Sequence, residues 1–485
     1  NMIDKLIRFS LRERLLVAIL ILLIMAVGIY SFLTIPVDAF PDVTSVQVEI
    51  LASAPGYSPY EVEKFVTFPL ETTLRGLPRL KQLRSISRAG LSVVTAVFED
   101  KTDLYFARQQ AFERLTEARE KVPEQVEITL GPIATPMGEI YQYTLEGKLP
   151  ADEKEQDRYL TELRTIQDWV VAPFFKSLPG VSDVNSFGGY IKQYLIIVQP
   201  EQLLRYNLTL QDIVAAIQNN NLNAGGNIVE RGEQQFIVRG IGLFRNLEDI
   251  KETILKTDHG AQVTLRDVAL VEEGQAIRQG GSIKNGEAEA VGGIVLMLAG
   301  ENSREVARRI EKKVAEINAS RLLPAGLKIV PFYKRTEIVT ASIRTIIEAL
   351  LLGALFVIIV LFVFLRSFRS SLVVVLSLPL TILLTFIIMK QVGLTANLMT
   401  LGGLAISIGM IIDAAIIQVE NVQRYLAETG LKDESIFFQA IAEVRKPSIF
   451  GELIIALTFL PLLSLQGLEG KMFSPLALSL SIAIL

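Results

Sequence analysis

Cysteine is absent from the 485 residues, and histidine and tryptophan each occur once. The lack of cysteine excludes disulfide bonds, thiolate metal sites and cysteine nucleophiles. The single histidine, His259, is predicted to lie in a turn and leaves little scope for histidine-rich zinc sites or Ser-His-Asp triads. The chain also lacks an excess of positive charge, because 48 Lys and Arg residues face 52 Asp and Glu residues. A nucleic-acid partner is therefore not expected. No GxxxxGK[ST] phosphate loop occurs, so ATP hydrolysis is not expected either.

Half of the residues are hydrophobic, only 21% are charged, and the mean hydropathy is +0.39. A soluble chain of this length would carry more charge, so the composition indicates a membrane protein with a large aqueous part. Apolar runs of about 20 residues can cross a bilayer. We predict such spans at 15–35, 337–366, 370–390, 395–421, 447–466 and 472–485. The first run is longer than the apolar region of a signal peptide and lacks a small-residue cleavage site, so it is predicted to be retained.

Basic residues predict the orientation of these spans, because cytoplasmic loops are enriched in Lys and Arg. The basic residues assigned to one side are Lys5, Arg8, Arg12, Arg14, Arg366, Arg369, Arg424, Lys432, Arg445 and Lys446. We therefore predict a cytoplasmic N-terminus at 1–14, a cytoplasmic loop at 422–446 and a soluble block outside, in the periplasm of a Gram-negative cell. The last apolar run is cut short and Asn1 precedes Met2. We expect a fragment of a longer protein.

The first part of the external block, 36–132, alternates strand-like and helix-like patterns. Strands are predicted at 46–51, 80–87, 92–98 and 126–130, and helices at 58–73 and 102–121. This order is β-α-β-β-α-β, the ferredoxin-like split βαβ arrangement.

A second copy of this pattern is predicted at 133–336. Residues 76–80 (Gly-Leu-Pro-Arg-Leu) align with 177–181 (Ser-Leu-Pro-Gly-Val) at an offset of about 100 residues, which indicates duplicated subdomains. An insertion at about 185–272, with a helix at 210–221, interrupts this copy. A strand at 291–298 and a helix at 303–318 complete it. The predicted fold class is an α-helical transmembrane bundle plus an α+β block of repeated ferredoxin-like subdomains.

One carboxylate lies well inside the fourth span. Placing Asp413 there costs about 2.5–3.5 kcal/mol on insertion scales, so we expect shielded surroundings and a function for it. Glu420 follows two helical turns later on the same face, about 10 Å away along the axis. Gly402 and Gly409 fall on this stripe, where small residues would let a neighbouring helix approach closely.

A carboxylate in low dielectric has its pKa raised by desolvation and lowered by a nearby cation. If its surroundings change, such a group can take a proton from one side and release it to the other, which coupling to a proton gradient requires. Alternatively, Asp413 is a fixed hydrogen-bond bracket between helices, and Glu420 is an interfacial charge. Glu348 and Glu452 lie near span ends, where snorkelling accounts for them.

Several motifs resemble the resistance–nodulation–division (RND) efflux transporters, and the heavy-metal efflux branch in particular. The resemblance covers essentially the whole chain. The motifs are IPVDAFPDV at 35–43, APGYSP at 54–59, VTFPLE at 66–71, VFED at 97–100, YFAR at 105–108, GPI at 131–133, GEIY at 138–141 and LEGKMF at 468–473.

The resemblance implies one half of a multi-pass, inner-membrane transporter that works as a homotrimer. Its implied partners are a periplasmic adaptor protein, an outer-membrane channel and the lipid bilayer. The two external subdomains would be porter subdomains, and the insertion would be a docking region that faces the channel. Asp413 and, more weakly, Glu420 are carried over as proton-relay positions, with Gly402, Gly409 and Ala414 as helix-packing neighbours. No cofactor is implied, since protons and a metal cation are the substrates; the residues that bind the metal are not identified.

Residues of the fourth span also differ between the branches of the family. Drug exporters typically carry two adjacent aspartates, whereas here Ala414 follows Asp413. Divalent-metal exporters often have an aspartate where this chain has Ser407. The pattern is closer to the copper and silver exporters, which however tend to have methionines in this helix, where Ile411 and Gln418 stand. The metal subclass stays open.

Three classes of function remain. Proton-driven heavy-metal efflux is favoured, and this makes the protein a secondary transporter rather than an enzyme. Export of organic compounds by an RND pump is the second class. A membrane receptor or assembly scaffold without transport is the third, and for it replacement of Asp413 would leave cellular activity intact.

Overall fold

The computed structural model describes residues 2–38, 40–258, 261–278, 280–365, 368–430 and 433–485. His259, Arg366 and Lys432, which entered the predictions, lie outside these residues. The α-helices are α1 (Met2–Arg12), α2 (Arg14–Thr34), α3 (Pro59–Val62), α4 (Phe68–Leu74), α5 (Leu104–Arg119), α6 (Glu153–Ile166), α7 (Ala172–Lys176), α8 (Pro200–Tyr206), α9 (Leu210–Asn220), α10 (Leu247–Lys251), α11 (Ser303–Ala319), α12 (Arg335–Leu365), α13 (Phe368–Val392), α14 (Leu398–Thr429), α15 (Glu434–Thr458) and α16 (Gly467–Ile484).

The strands lie between α2 and α12. They are β1 (Gln47–Ser53), β2 (Leu80–Arg88), β3 (Leu91–Phe98), β4 (Glu127–Leu130), β5 (Glu139–Glu146), β6 (Val181–Phe187), β7 (Lys192–Val198), β8 (Ala224–Arg231), β9 (Gln234–Gly240), β10 (Ile254–Asp258), β11 (Ala261–Thr264), β12 (Ala269–Gln275), β13 (Ile283–Lys284), β14 (Ala288–Glu289), β15 (Val291–Met297) and β16 (Lys328–Lys334). The chain thus consists of helices at both ends and an α+β block between them.

The first sheet is antiparallel and has the strand order β2-β3-β1-β4. Along the chain its elements follow the order strand, helix, strand, strand, helix, strand. Ile50 on β1 is fully buried and belongs to one cluster with Val66 and Leu70 of the first helical segment and Ala107 and Ala111 of α5. Burial of these apolar side chains, at about 25 cal/mol per Å², holds the helices on the sheet.

Side-chain caps fix where the helices of this sheet begin. The Ser58 hydroxyl accepts a hydrogen bond from the Glu61 amide, and the Glu61 carboxylate accepts one from the Ser58 amide at 2.8 Å. Pro59, in the first turn, loses no hydrogen bond there. Asp103 caps α5 by accepting a hydrogen bond from the Phe106 amide at 2.8 Å. Local sequence therefore sets both helix starts.

The second sheet repeats the arrangement of the first. Its strand order is β16-β5-β15-β6. In the order of the chain, β5, β6, β15 and β16 therefore occupy the places that β1, β2, β3 and β4 occupy in the first sheet. Tyr143, Phe175 and Ile310 are fully buried in its core. The rings of Tyr143 and Phe175 meet edge to face, with their centroids 5.2 Å apart. The Tyr143 hydroxyl and the Gln167 amide share a buried hydrogen bond of about 3 Å.

The first helical segment of each sheet contains one π turn. These turns, Glu63–Thr67 and Gln167–Val171, each end two residues before a proline, Pro69 or Pro173. Proline has no amide hydrogen and clashes with the carbonyl four residues earlier. In both segments that carbonyl lies within the π turn, so the wider turn accommodates the proline without ending the helix.

The segment between β6 and β15 is an insertion into the second sheet. It contains the ladder of β7 with β12 and a small core around Ile213, Leu265 and Val268. It also contains the β8–β9 hairpin, in which every residue is exposed. The insertion differs from the predicted range 185–272, because β6 continues to Phe187 and the short β13–β14 pair precedes β15. Pairing between distant strands decides these limits, and local sequence does not record it.

Four stretches of the described residues are long and apolar enough to cross a membrane: Arg14–Thr34, Ser370–Val392, Leu398–Thr429 and Glu434–Ser464. The helices of the bundle exceed the predicted spans at several ends. The predicted span 337–366 is matched by α12, which begins directly after β16. The span 472–485 falls within α16.

Most of the predicted loop at 422–446 is helical, because α14 continues to Thr429 and α15 begins at Glu434. Gly430, with a φ of 64°, ends α14, and the Asp433 side chain caps α15. The apolar run of the fifth span does not mark a helix of its own: α15 ends at Thr458 and a 3₁₀ turn, Leu460–Ser464, follows. Hydropathy finds the apolar part of a helix and misses its charged ends.

The N-terminal helix α1 lies against α15. The Lys446 ammonium is 3.0 Å from the Asp4 carboxylate, and the Arg8 guanidinium lies over the Phe438 ring, 4.7 Å from its centroid. Helix Met2–Arg12 is thus tied to the α14–α15 end of the bundle.

Candidate functional site

The helix that carries Asp413 begins with a strong cap. Asn397 is almost fully buried, and its side chain accepts hydrogen bonds from the amides of Met399 at 2.9 Å and Thr400 at 3.0 Å. The Thr400 hydroxyl in turn accepts a hydrogen bond from the Asn397 amide at 2.9 Å. This reciprocal cap fixes the N-terminal end of α14 and therefore the rotation of the residues that follow.

Asp413 lies in the middle of α14 on a face that no other helix of the described chain covers. Gly409, Asp413, Ile417 and Glu420 are all exposed, and they form one stripe along the helix. A β-carbon added at Gly409 would meet nothing within 4 Å. The stripe predicted from the spacing is therefore present, but the residues that the structure describes do not provide the shielding expected for Asp413.

The opposite face of α14 is packed. Leu404, Ile408 and Ile412 are buried against α13 and α16. Helices α14 and α16 are in tight contact at Gly403, where an added β-carbon would clash with the Ser479 hydroxyl oxygen and lie 2.6 Å from the Leu476 carbonyl oxygen. Of the two adjacent glycines on α14, Gly403 is thus the packed one, whereas Gly402 has nothing within 4 Å. The Gly402-Gly403 pair was the available signal, and the choice between its members depended on the partner helix.

Ser407 and Ala414 are less exposed than Asp413 and lie outside the exposed stripe of α14. Ser407 is fully buried, and its hydroxyl donates a hydrogen bond to the Leu404 carbonyl oxygen at 2.7 Å. Ala414 is half-buried. Ser407 and Asp413 lie six residues apart, about 120° around the helix. A carboxylate at position 407 would therefore face the packed side of α14 rather than the exposed stripe.

Asn421 fastens the far end of α14 to α15. Its side-chain amide is buried and donates to the Ala440 carbonyl oxygen at 2.7 Å and to the Glu443 carboxylate at 3.0 Å. Arg424 adds an ion pair to Glu443 at 3.2 Å. Spacing along the helix pointed to Glu420 but not to Asn421, because an asparagine near a helix end is also a common surface residue.

The two carboxylates attributed to span ends are paired. Glu348 lies 2.7 Å from Arg344 one turn earlier on α12. Glu452 accepts hydrogen bonds from Arg445 at 2.7 Å and from Ser448 at 3.0 Å. Both charges are thus neutralised on their own helices, and Asp413 lacks a comparable ion pair among the described residues.

A cavity of about 570 Å³ lies between the two sheets, and its lining includes the charged residues Glu49, Arg108, Glu139 and Asp183. Arg108 donates to the Gly131 carbonyl oxygen at 2.6 Å, and burial lowers the pKa of its guanidinium. Within the described ranges, no group of three or more Asp, Glu, His or Cys side chains converges to hold a metal ion. The sheets thus frame a charged cleft but supply no metal-ligand set there.

Comparison with known proteins gives consistent matches over the whole chain. The model of the AcrB/AcrD/AcrF family matches residues 6–485. The chain is 44% identical over 493 residues to protein HelA of Legionella pneumophila and 43% identical over 494 residues to the cobalt-zinc-cadmium resistance protein CzcA of Cupriavidus metallidurans. It is 37% identical over 494 residues to the cation efflux system protein CusA of Escherichia coli. Each alignment covers 100% of this chain and 46% of the relative.

A solved structure of a heavy metal efflux pump is similar in fold, with a TM-score of 0.88 and 33% sequence identity. That match covers 99% of this chain and 46% of the pump. The chain therefore spans a little under half the length of the relatives it matches.

Proposed function

Because the chain belongs to the AcrB/AcrD/AcrF family, we propose that it is part of a proton-driven RND transporter that exports heavy-metal cations. The names of its relatives, which include cobalt-zinc-cadmium resistance and cation efflux proteins, support a metal rather than an organic substrate. In this proposal the protein is a secondary transporter, and protons and metal ions are its substrates.

The observation that carries the proposal is the position of Asp413. It is a carboxylate at the centre of an apolar helix, on a stripe with Gly409 that no other described helix covers. The relatives are about twice as long as this chain. We therefore propose that a helix from the remaining part of the transporter packs on this stripe, where Gly409 permits close approach and Ala414 borders the contact.

Such packing would give Asp413 the surroundings that proton coupling needs. Burial would favour the protonated carboxyl group, and a cation from the partner helix would favour the carboxylate. Movement of that cation toward or away from Asp413 would release or bind a proton, and the conformational change would carry the metal ion outward. Glu420, two turns along the same stripe, is the proposed relay toward the cytoplasmic end.

The α+β block is the proposed periplasmic porter domain of an inner-membrane protein. The identical strand order of the two sheets supports their assignment as duplicated ferredoxin-like subdomains. The β8–β9 hairpin, with Phe236, Ile237 and Val238 each about half exposed or more, supports an intermolecular role for the insertion. We assign it to docking within a homotrimeric assembly that also includes a periplasmic adaptor and an outer-membrane channel.

The choice between a divalent and a monovalent metal substrate is left to experiment. Identity is higher to CzcA than to CusA, which favours a divalent cation such as Zn²⁺. Ser407, a buried hydroxyl in place of a carboxylate, favours neither class.

The deciding experiment uses the full-length transporter that contains this chain, expressed in a bacterial strain without its own metal exporters. Growth is measured in graded Zn²⁺, Co²⁺, Cd²⁺, Cu⁺ and Ag⁺, and separately in organic dyes and detergents. We expect protection against at least one metal and none against the organic compounds. Protection against organic compounds alone would support the drug-export alternative.

Asp413→Asn is expected to abolish resistance while membrane insertion and trimer assembly persist. Asp433→Asn serves as the control, because Asp433 is an exposed helix cap outside the stripe. Full metal resistance of Asp413→Asn at normal expression would remove the relay assignment, and a receptor or scaffold would then be the better description.

A further inference from the structure

An ion pair between a buried arginine and a partly exposed aspartate, whose side chain is 27% exposed, joins the membrane helices to the second sheet. The Asp38 carboxylate, just after α2, accepts a hydrogen bond from Nε of the Arg335 guanidinium at 3.0 Å, and Nη2 of the same guanidinium lies 3.0 Å from the same carboxylate oxygen. The Ser303 hydroxyl donates to the same carboxylate oxygen at 3.1 Å. The Arg335 side chain is only 9% exposed, and it also donates to the Met137 carbonyl oxygen. One carboxylate thus gathers three segments that are far apart in sequence.

Arg335 and Ser303, which contact the Asp38 carboxylate, and Met137, which contacts Arg335, belong to the unit built around the second sheet. Arg335 is the first residue of α12 and follows β16 without a linker. Ser303 is the first residue of α11, which packs on the same sheet. Met137 lies in the short turn directly before β5. A displacement of Asp38 would therefore act on two strands and one helix of this sheet together.

On its other side, Asp38 is tied to the start of α14. The Asp38 amide donates to the Ala396 carbonyl oxygen at 3.0 Å, and the Ala396 amide donates to the Pro36 carbonyl oxygen at 2.9 Å. Ala396 is followed by Asn397, the buried cap of α14. The helix that carries Asp413 is thus connected to Asp38 by two backbone hydrogen bonds and one rigid cap.

Stability alone does not explain an ion pair in which the arginine is buried and the aspartate is partly buried. Desolvation of two charges offsets much of their attraction, and apolar residues of similar size often serve as well. Directed hydrogen bonds from a planar guanidinium do, however, fix the relative position of the groups that they join. The pair therefore suits a rigid junction, in which a displacement of one segment moves the other.

We propose that Asp38 is a positioning residue that transmits movement of α14 to the second sheet, through Arg335 and Ser303. This inference rests on the proposed function, because it takes Asp413 as the group whose protonation moves α14. It adds a contact outside the bilayer core, on the segment between α2 and the first sheet, whose loss would separate proton binding from movement of the porter domain.

The first test measures transport by the full-length transporter in lipid vesicles under an imposed pH gradient, with Zn²⁺ and Ag⁺ as probes. For Asp38→Asn we expect the maximal rate to fall about 10- to 100-fold, as when a positioning contact is lost, and the half-saturating metal concentration to stay within about twofold. Asp38→Glu, which keeps the charge, is expected to recover part of the rate. The matched control is Asp42→Asn, on the same segment, whose carboxylate accepts a hydrogen bond from the nearby Thr44 amide and from no other described residue.

The second test reads the coupling directly. Nitroxide labels on cysteines introduced at Ala315 of α11 and Leu376 of α13, both exposed, report the distance between the second-sheet unit and the bundle. The 485 residues contain no native cysteine to interfere. Asp413→Asn, which mimics the protonated carboxyl, is expected to shift this distance in the unaltered and Asp42→Asn backgrounds and to leave it unchanged in the Asp38→Asn background.

A distance shift that persists in Asp38→Asn, or a maximal rate within about twofold of the unaltered rate, would overturn the junction while leaving the proposed function in place. If Asp413→Asn shifts no distance and transport continues, the proton relay fails and the junction fails with it. If Asp38→Asn does not assemble, Ser303→Ala, which removes one hydrogen bond and no charge, is judged by the same two readouts.

Discussion

Lys471, near the start of α16, places its ammonium 2.7 Å from the Asp100 carboxylate in the turn after β3. The same ammonium donates a hydrogen bond to the Thr44 carbonyl oxygen at 2.7 Å. One bundle helix therefore holds the first sheet, as the Asp38–Arg335 pair holds the second. The hydrogen bond from Lys471 is the main reason why the pKa of Asp100 lies below its ordinary value of 3.8.

Replacing Asp100 by Asn is expected to destabilise the contact between sheet and bundle by about 1 kcal/mol or less, because both partners are partly exposed. A lowered carboxyl pKa contributes stability above the unfolded-state value and loses it as the pH falls through the folded-state value. The difference between Asp100→Asn and the unaltered chain should therefore be constant near neutral pH and shrink below 3.8. Thermal unfolding in detergent across this pH range measures it.

Glu99→Gln is the control for Asp100→Asn. Glu99 is the preceding residue, its side chain is exposed, and its replacement removes the same negative charge. It should change the midpoint of unfolding little at any pH. An equal loss in Glu99→Gln would assign the effect to net charge rather than to the contact with Lys471.

Gly403→Ala is expected to destabilise the packing of α14 on α16 by about 1–3 kcal/mol, because the added methyl group meets backbone atoms that cannot rotate away. Gly402→Ala on the same helix meets nothing and should be neutral or stabilising by up to about 1 kcal/mol. Thermal unfolding of the two variants in the same detergent compares them. Equal midpoints would mean that α14 and α16 do not pack as closely as described.

Asn421→Ala should loosen the attachment of α14 to α15, since it removes two hydrogen bonds made by a buried amide. A loss of about 1–2 kcal/mol would raise the population of the opened state about 5- to 30-fold. The rate of proteolysis at the turn between these helices reports that population. Gln418→Ala, one turn earlier, is the control, and an increase of the same size in that variant would contradict a specific role for Asn421.

Tyr143→Phe is expected to cost about 1–3 kcal/mol, because it leaves the buried Gln167 amide without its tyrosine partner. Burial raises the pKa of the Tyr143 hydroxyl, so the group stays protonated and the loss should not depend on pH around neutrality. The midpoint of thermal unfolding measures it.

The double variant Tyr143→Phe with Gln167→Met serves as the control for this pair. Replacing both partners by apolar groups should recover much of the loss, because the two fully buried polar groups are then both removed and only the half-buried Ser186 hydroxyl loses a bond, which it accepts from the Gln167 amide at 3.3 Å. Additive losses in the double variant would show that the hydrogen bond is not the source of the effect.

The first sheet was predictable because its signals are local. The helix predicted at 58–73 is confirmed at Pro59–Leu74, with its π turn, and the strand predicted at 92–98 is confirmed at Leu91–Phe98. Ser58, Asp103 and the alternation of apolar residues set these limits within a few positions along the chain. The position of Asp413 within a long apolar helix also followed from local sequence, and its role as a proton relay stays a prediction.

Contacts between distant segments were not predictable. Nothing near Asp38 in the sequence points to Arg335, and nothing near Gly403 distinguishes it from Gly402 without knowledge of α16. The exposure of the Asp413 stripe could not be foreseen either, because it depends on which helices are available to cover it. Similarly, the charged ends of α14 and α15 lowered the hydropathy of 422–446, although the caps at Gly430 and Asp433 leave only a short connection.

The two π turns bear on the ancestry of the α+β block. Regular elements recur in unrelated proteins because they pack well, whereas an extra residue before a proline at the same place in two sheets is an irregularity that convergence rarely reproduces. We infer that a single ancestral subdomain already carried this extra residue and its proline before its gene segment was duplicated. Relatives that contain only one sheet of this kind should then also have the π turn before the proline.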